Sequence, residues 1–362
     1  MCTGREVDVS EITERSPEIT GPAARGPGQG NGGWALVRKG AALFARQREA
    51  TIFIVLVALV LYFGLTTSAF LTNSNITNLL SGYAAPIIII AIGEVLLLIC
   101  GEIDLSVGFI FTFAPFLMYF LITYYSVPVV LAILISLLFG VAVGWVNGFI
   151  TVALLVPSFI TTLGTGFILF GLVLTTSHDY PAVVPPSAES IGRWFGSQTG
   201  GFAWSAFIWA AALVVIFHIV LTRTRWGLYT IAVGGNLLGA REAGIKVGWI
   251  KYGNFMITGF MGALTGLQIA FYDNTIDPSA GGYQPMFYAV AAAVIGGTAM
   301  LGGVGTILGG FLGALVLATL IDGFLIKGVS ANPLNIIFGA AILIAMIANV
   351  WLTRLREAGR TL

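Results

Sequence analysis

Ten apolar runs, each long enough to cross a bilayer as a helix, dominate the chain. They lie near 51–70, 83–101, 105–123, 127–154, 157–176, 203–222, 252–273, 283–300, 303–326 and 333–352. The breaks at 101–104 and 300–303 are very short and read as tight turns or kinks within the membrane. The pattern predicts an all-α polytopic membrane protein of about ten transmembrane helices. Its boundaries are a transmembrane domain over 49–353, a cytoplasmic loop over 222–251, an external loop over 177–202 and a C-terminal cytoplasmic tail over 354–362. Residues 1–48 break the pattern. Pro, Gly, Glu, Ser and Arg dominate there without apolar period, which predicts a disordered cytoplasmic tail. The start of the chain lacks the apolar core of a signal peptide.

Composition agrees with the runs. The chain is 57% hydrophobic and 9% charged, against about 25% charged in soluble domains. Its mean hydropathy is +0.95. A net charge of +1 gives no basis for nucleic-acid binding. Cys2 and Cys100, with His178 and His218, form neither a disulfide framework nor a metal-ligand spacing.

Basic residues set the orientation. Arg5, Arg15, Arg25, Arg38, Lys39, Arg46 and Arg48 precede the first run. Arg223, Arg225, Arg241, Lys246 and Lys251 lie in 222–251, and Arg354, Arg356 and Arg360 follow the last run. Ten spans place all of them on one side, so both termini are expected in the cytoplasm. A faint repeat points to two halves. Asn147-Gly148-Phe149-Ile150 precedes Pro157, and Asp322-Gly323-Phe324-Leu325 precedes Pro333, each between two spans. Such a repeat predicts two five-helix halves of opposite topology.

The polar residues inside this apolar frame are the candidate chemistry. Gly101-Glu102-Ile103-Asp104-Leu105-Ser106-Val107-Gly108 sits between two runs free of Lys and Arg. A charge at membrane depth costs roughly 2.5–3.5 kcal/mol even on lenient insertion scales, and marks a functional candidate by default. Asp104 reads as the N-cap of the helix that follows, its carboxylate accepting from the amides of Ser106 and Val107. Two roles stay open for it: a structural cap, or a half-helix terminus that holds a polar substrate. Glu102, Asp104, Ser106, Asn147 and Ser158 are the candidates for a polar transport pathway. Glu94, within the second run, has no cation nearby in sequence and must be neutral or hydrogen-bonded in the bundle.

In the 222–251 loop, Asn236 reads as an N-cap, Leu237 to Ala243 as a two-turn helix and Gly244 as its C′ residue. So short a helix is not stable alone in water. It reads either as an amphipathic connector or as an element held by something docked on it. The stretch Gly296-Gly297-Thr298 to Gly305-Thr306, followed by Gly309, Gly310 and Gly313, suits close helix packing. No Gly-Lys-Ser/Thr follows it, and no P-loop occurs in the sequence, so ATP-driven work requires another chain.

At these residues the chain resembles the membrane permease subunit of bacterial ABC importers for simple sugars, the ribose/xylose/galactose branch. The resemblance is carried by the Gly101–Gly108 stretch, by Val156-Pro157-Ser158-Phe159-Ile160-Thr161-Thr162-Leu163-Gly164 and by Arg223-Thr224-Arg225-Trp226-Gly227. Gly234-Gly235-Asn236 with Ala240-Arg241 and Gly244-Ile245, and Ile295-Gly296-Gly297-Thr298 with Gly302-Gly303 and Gly305-Thr306, complete it. It implies a multi-pass protein of the bacterial inner membrane, surrounded by lipid and paired with a second permease copy or paralogue. It implies an external sugar-binding protein and a cytoplasmic ABC ATPase that binds ATP and Mg, with no cofactor, metal or catalytic residue in this chain. Gly235, Asn236, Ala240, Arg241, Glu242, Gly244 and Ile245 then resemble the family's ATPase-coupling helix. Two departures stand out. Gly282-Tyr283 is followed by Gln284-Pro285-Met286 where the family often has acids, and Gly239 stands where it prefers Ala. Glu102 resembles the xylose-type members.

Two other classes compete. An ion-coupled secondary transporter would use Asp104, Asp273 and Asp322 as coupling groups. An intramembrane protease would need a Ser/His pair at depth, but no Gly-x-Ser-Gly occurs and only His218 lies within a run.

Overall fold

Hydrocarbon offers no hydrogen-bond partner, so each apolar run satisfies its backbone by coiling into a helix. The computed structural model describes residues 48–196 and 203–329, with Pro333, 336–340, 343–344 and 347. All of these fall in the unit Ala45–Leu362. The tail expected over 1–48, apart from Arg48, and the tail over 354–362 lie outside the described residues, as does much of the tenth run.

Helix α1 covers Arg48–Thr66. Helix α2, Asn73–Thr77, passes through a wide π-helical turn at Asn78–Ala84 into α3, Ala85–Ile99. Helices α4 (Val107–Thr123), α5 (Val129–Ala153) and α6 (Ser158–Ser177) follow. A two-residue strand β1, Ala182–Val183, precedes the short helix α7, Glu189–Phe195. Then come α8 (Ser205–Arg223), α9 (Arg225–Gly235) and α10 (Leu237–Glu242). The long helix α11 covers Val247–Asp273, and strand β2, Thr275–Ile276, pairs antiparallel with β1. Helices α12 (Tyr283–Ile295) and α13 (Ile307–Ile326) follow, and the described residues 336–340 of the tenth run are helical.

Among the described residues, seven helical stretches are long and apolar enough to span a membrane, while Val107–Thr123 and Tyr283–Ile295 are shorter. These nine correspond to the first nine expected runs. The turns were expected at 101–104 and 300–303, but the breaks are longer. The first runs from Ile99 to Val107, the second from Ile295 to Ile307. Glycines in left-handed conformation hold both open: Gly101 at φ +80°, and Gly297, Gly302 and Gly303 at +85°, +91° and +77°.

The core forms around α3 and α11. From Ile87 to Ile99 every α3 residue is buried. Helix α11 meets α5 through small residues. A Cβ on Gly140 would overlap the Gly259 carbonyl, and one on Gly144 the Phe255 carbonyl, so the backbones approach closely. Pro115 cannot donate to the Phe111 carbonyl, and Gly266 of α11 lies against that bare carbonyl. Outward faces remain apolar, with Leu65, Leu138, Phe159, Ile168 and Val215 exposed, as a lipid-facing surface requires.

Candidate functional site

Contacts along α11 fix the depth of everything else. Near its start, Lys251 is ion-paired with Glu102, just after α3. Near its end, Tyr272 Oη lies 3.1 Å from Asn78 Oδ1, just before α3. Helices α3 and α11 are therefore antiparallel. Halfway along α11, Gly262 and Gly266 lie against Val107 and Phe111, in the first turns of α4. The chain thus leaves α3 at the Lys251 end, turns, and begins α4 at mid-depth.

The turn is built residue by residue. Helix α3 closes with a Schellman motif: Gly101 N donates to Leu98 O and Glu102 N to Leu97 O. Helix α6 then satisfies the exposed backbone. Ser158 Oγ accepts from Ile103 N at 3.4 Å, and Thr162 Oγ1 from Leu105 N at 3.0 Å. Asp104 Oδ1 accepts from Ser106 N at 2.8 Å and from Ser106 Oγ at 2.6 Å. Asn147 Nδ2, from α5, donates to Ser106 Oγ at 2.8 Å and approaches both Asp104 oxygens at 3.4 Å. Thr165 Oγ1 donates to Asn147 Oδ1 at 2.8 Å. Asp104, Ser106 and Asn147 have no exposed surface.

The structure thus joins Asp104, Ser106 and Asn147 in one network, with Ser158 beside it on the same turn. Glu102 is not in it; its carboxylate points to Lys251. The expected cap is corrected in detail. Ser106 occupies the N-cap position of α4, and Asp104 stands two residues earlier, where its side chain closes an Asx turn. Glu94 is fully buried; among the described residues no side chain hydrogen-bonds its carboxylate, and the Asp104 backbone amide faces it. Asp104 is its electrostatic neighbour.

A second turn of the same construction went unnoticed in the sequence. Asp277 Oδ1 accepts from Ser279 N and from Ser279 Oγ, both at 2.8 Å. It leads from the far end of α11 into α12. The signal was present: Ile103-Asp104-Leu105-Ser106-Val107-Gly108 matches Ile276-Asp277-Pro278-Ser279-Ala280-Gly281 at four of six positions. Both turns follow a left-handed residue, Gly101 at φ +80° and Asn274 at +52°. Their half-helices meet head to head. Gly282 N donates to Gly108 O at 3.0 Å, and the Phe109 and Tyr283 rings pack edge to face at 5.0 Å. Chain from opposite ends of α11 therefore converges at mid-depth.

The Lys251 end carries the other predicted element. Asn236 Oδ1 accepts from Gly239 N at 2.9 Å, capping α10. Gly244 N donates to Arg241 O and Ile245 N to Ala240 O, a second Schellman motif, with Gly244 at φ +79°. Ala240 is buried, while Leu237, Leu238, Arg241 and Glu242 are exposed. An open groove of about 430 Å³ beside it is lined by Trp226, Tyr229, Ile245 and Trp249, among others. Gly234 and Gly235 pack on the glycine-rich break. Gly303 N donates to Ile99 O at 2.7 Å, and a Cβ on Gly234 would overlap that same carbonyl. These glycines seal the ends of α3 and α9 against one another, as the packing reading expects.

Comparison with known proteins matches this architecture. A family model described as the branched-chain amino acid transport system / permease component covers residues 75–347. The xylose/arabinose import permease protein XylH of Sulfolobus acidocaldarius is 36% identical over 317 residues, 85% of this chain and 86% of the relative. The probable ABC transporter permease protein YphD of Escherichia coli is 33% identical, covering 84% of this chain and 90% of the relative. The ribose import permease protein RbsC of Haemophilus influenzae is 30% identical, covering 84% and 94%. No solved structure gives a significant match. The family match takes in both interrupted segments, the Asp104 network and the capped helix α10, so this chain belongs to the branched-chain amino acid transport system / permease component family and is a multi-pass membrane permease.

Proposed function

We propose that this chain is the permease subunit of an ATP-binding-cassette importer that moves a monosaccharide or similar small polar solute. Such a subunit works with a separate ATPase and a substrate-binding protein. Relatives named for xylose/arabinose, ribose and autoinducer 2 import support the substrate class. The observation that carries the energetic part is α10. Six residues do not hold a helix in water, yet α10 is capped at both ends and presents Leu237, Leu238, Arg241 and Glu242 outward. A face so fixed and so exposed suits an ATPase, with Gly235, Asn236, Ala240, Gly244 and Ile245 holding its shape. The charge distribution supports a cytoplasmic position for this end and for both termini. Two matched turns entering from opposite ends suit a pair of inverted five-helix halves. A second permease copy completes the path, and lipid covers the remaining apolar faces. Asp104, Ser106, Asn147 and Ser158 are its polar side, with Glu102 at the cytoplasmic mouth.

Reconstitution in liposomes with an ATPase and a binding protein tests this. Uptake is expected to require ATP on the α10 side and to survive collapse of the proton gradient. Gly244→Val forces a β-branched residue into a left-handed position, at about 1–2 kcal/mol. It should lower uptake at least tenfold while the protein still inserts and the ATPase still hydrolyses. Uptake by this chain alone, driven by an imposed ion gradient, would sink the proposal in favour of a secondary transporter.

A further inference from the structure

At the Tyr272 end of the bundle, a cleft of about 370 Å³ is lined from α3 and the turn before it, from α4, α11, α12 and α13, and by Phe338 of the tenth run. That volume lies within the ~300–1,000 Å³ typical of small-molecule sites. Its walls are largely apolar, with Pro86, Ile90, Phe111 and Ile269 among them, and its polar groups are Tyr83, Asp273, Gln284 and Tyr288. Gln284 Nε2 donates to Tyr288 Oη at 2.8 Å. That bond leaves the Gln284 carbonyl free to accept and the Tyr288 hydroxyl free to donate. Asp273, the last residue of α11, has no hydrogen-bond or ion-pair partner among the described residues and is exposed to the cleft side. Among the described residues, no Lys, Arg or His lines the cleft.

This set has a definite chemical preference. A carboxylate takes hydrogen bonds from hydroxyls and makes them stronger than neutral pairs. The Gln284–Tyr288 pair offers one acceptor and one donor a short distance away, and the aromatic rings cover an apolar C–H face. Among the described residues the charged groups near the cleft are acids, Asp273 in its lining and Asp322 within electrostatic reach of Tyr83, so an anion is disfavoured. We infer that this cleft is a loading site for a neutral monosaccharide, in which Asp273 and the Gln284–Tyr288 pair read the ring hydroxyls. The inference rests on the proposed function and names where the solute sits before it reaches the Asp104 network. The cleft ends beside Ala280 and Gln284, where α12 begins, so a bound ring lies at the door of the two half-helices.

The test uses the full reconstituted importer and a panel of D-xylose, L-arabinose, D-ribose and D-glucose. If the wild type imports none of them, the monosaccharide reading falls, and the cleft proposal with it. With an imported sugar in hand, Asp273→Asn and Tyr288→Phe should each raise the half-saturation concentration at least tenfold. Gln284→Cys, in a chain carrying Cys2→Ser, keeps the proposal falsifiable should those variants misfold. Cys100 is buried, and the Cys2→Ser chain alone gives the labelling background. A bulky thiol reagent on Gln284→Cys should abolish uptake, and the imported sugar should slow labelling at least threefold. Asp273→Asn and Tyr288→Phe shifting half-saturation by less than twofold, or labelled Gln284→Cys importing at the unlabelled rate, would overturn the site while leaving the importer reading intact.

Discussion

The turn at Ile103–Ser106 and the turn at Ile276–Ser279 share a sequence pattern and a side-chain geometry, yet they live in opposite surroundings. In both, an aspartate accepts from the amide and the hydroxyl of a serine two residues later. In the first, Asn147, Thr162 and Thr165 close over the turn until Asp104 and Ser106 have no exposed surface. In the second, Asp277 is half-buried and Ser279 exposed, with the open cleft alongside at Ala280. The difference teaches that the local motif serves to start a half-helix at depth without bare amides. What the neighbouring helices add decides whether its carboxylate is a sealed structural group or stands near solvent. Inside a membrane the sealed version has the larger stake, because every donor it abandons stays unpaired.

The largest expected effect breaks the sealed turn. Asp104→Ala strips the acceptor from Ser106 N and Ser106 Oγ and leaves the Asn147 amide short of one. The cost is about 2–5 kcal/mol, read as a lower unfolding midpoint of the protein in nanodiscs, with uptake lost. Asp104→Asn keeps an acceptor for the Ser106 amide but sets a second amide group against Asn147. It should recover stability in part. If it recovers stability but not uptake, the charge itself acts in transport; recovery of both leaves only the cap. Asp277→Ala, which water can repair, should cost less than about 1 kcal/mol. Equal losses at Asp104 and Asp277 would dissolve the contrast between the two turns.

How much of this was legible in the sequence follows from the same two turns. Nine runs showed as helices because apolar length alone dictates them. The Asn236 cap and the Gly244 stop also showed, because capping chemistry is local. Asp104 stood out as an acid in an apolar run. Its partners did not, since Asn147, Thr162 and Thr165 lie on other helices and only packing brings them near. Lys251 counted in the sequence merely as one more basic residue setting orientation; that it neutralises Glu102 is a tertiary fact. The Asn147-Gly148 and Asp322-Gly323 match is the weaker sign of the repeat; the stronger is Ile-Asp-x-Ser-x-Gly, which spans only six residues in two short breaks. Asp322 itself goes elsewhere, accepting from Asn75 Nδ2 at 2.7 Å, so residues matched by the repeat need not share a role.

A middle-sized effect tests where the turns converge. Gly108 presents its carbonyl to Gly282 N, and a Cβ on Gly108 would overlap the Gly282 carbonyl. That neighbour is backbone, so it cannot swing aside as a side chain would. Gly108→Ala should cost about 1–3 kcal/mol through overpacking and should slow uptake more than it lowers the unfolding midpoint, because it wedges the half-helices apart. Thr112, one turn along, makes a suitable control: Thr112→Ser keeps the hydroxyl that donates to Gly108 O at 3.1 Å. A silent Gly108→Ala would mean that α4 and α12 separate freely and that their contact carries nothing.

The smallest effect sharpens the comparison at its entrance. Gly101 and Asn274 hold the same left-handed geometry before their turns, one as glycine and one as asparagine. Only glycine and, less readily, asparagine or aspartate take that geometry as single residues without much strain. Among the described residues, and apart from its two chain neighbours, no atom lies within 4 Å of where a Cβ on Gly101 would stand, so the site has room and the question is conformational. Gly101→Asn should therefore cost under about 1 kcal/mol, whereas Gly101→Val should cost about 1–2 kcal/mol for the same added freedom of space. The measurement is the pair of unfolding midpoints in nanodiscs. If asparagine at Gly101 is tolerated and valine is not, the two turns obey one backbone rule, and their difference lies wholly in what packs over them. If asparagine costs as much as valine, the first turn demands glycine for a reason its own geometry does not contain, and the two are alike only in sequence.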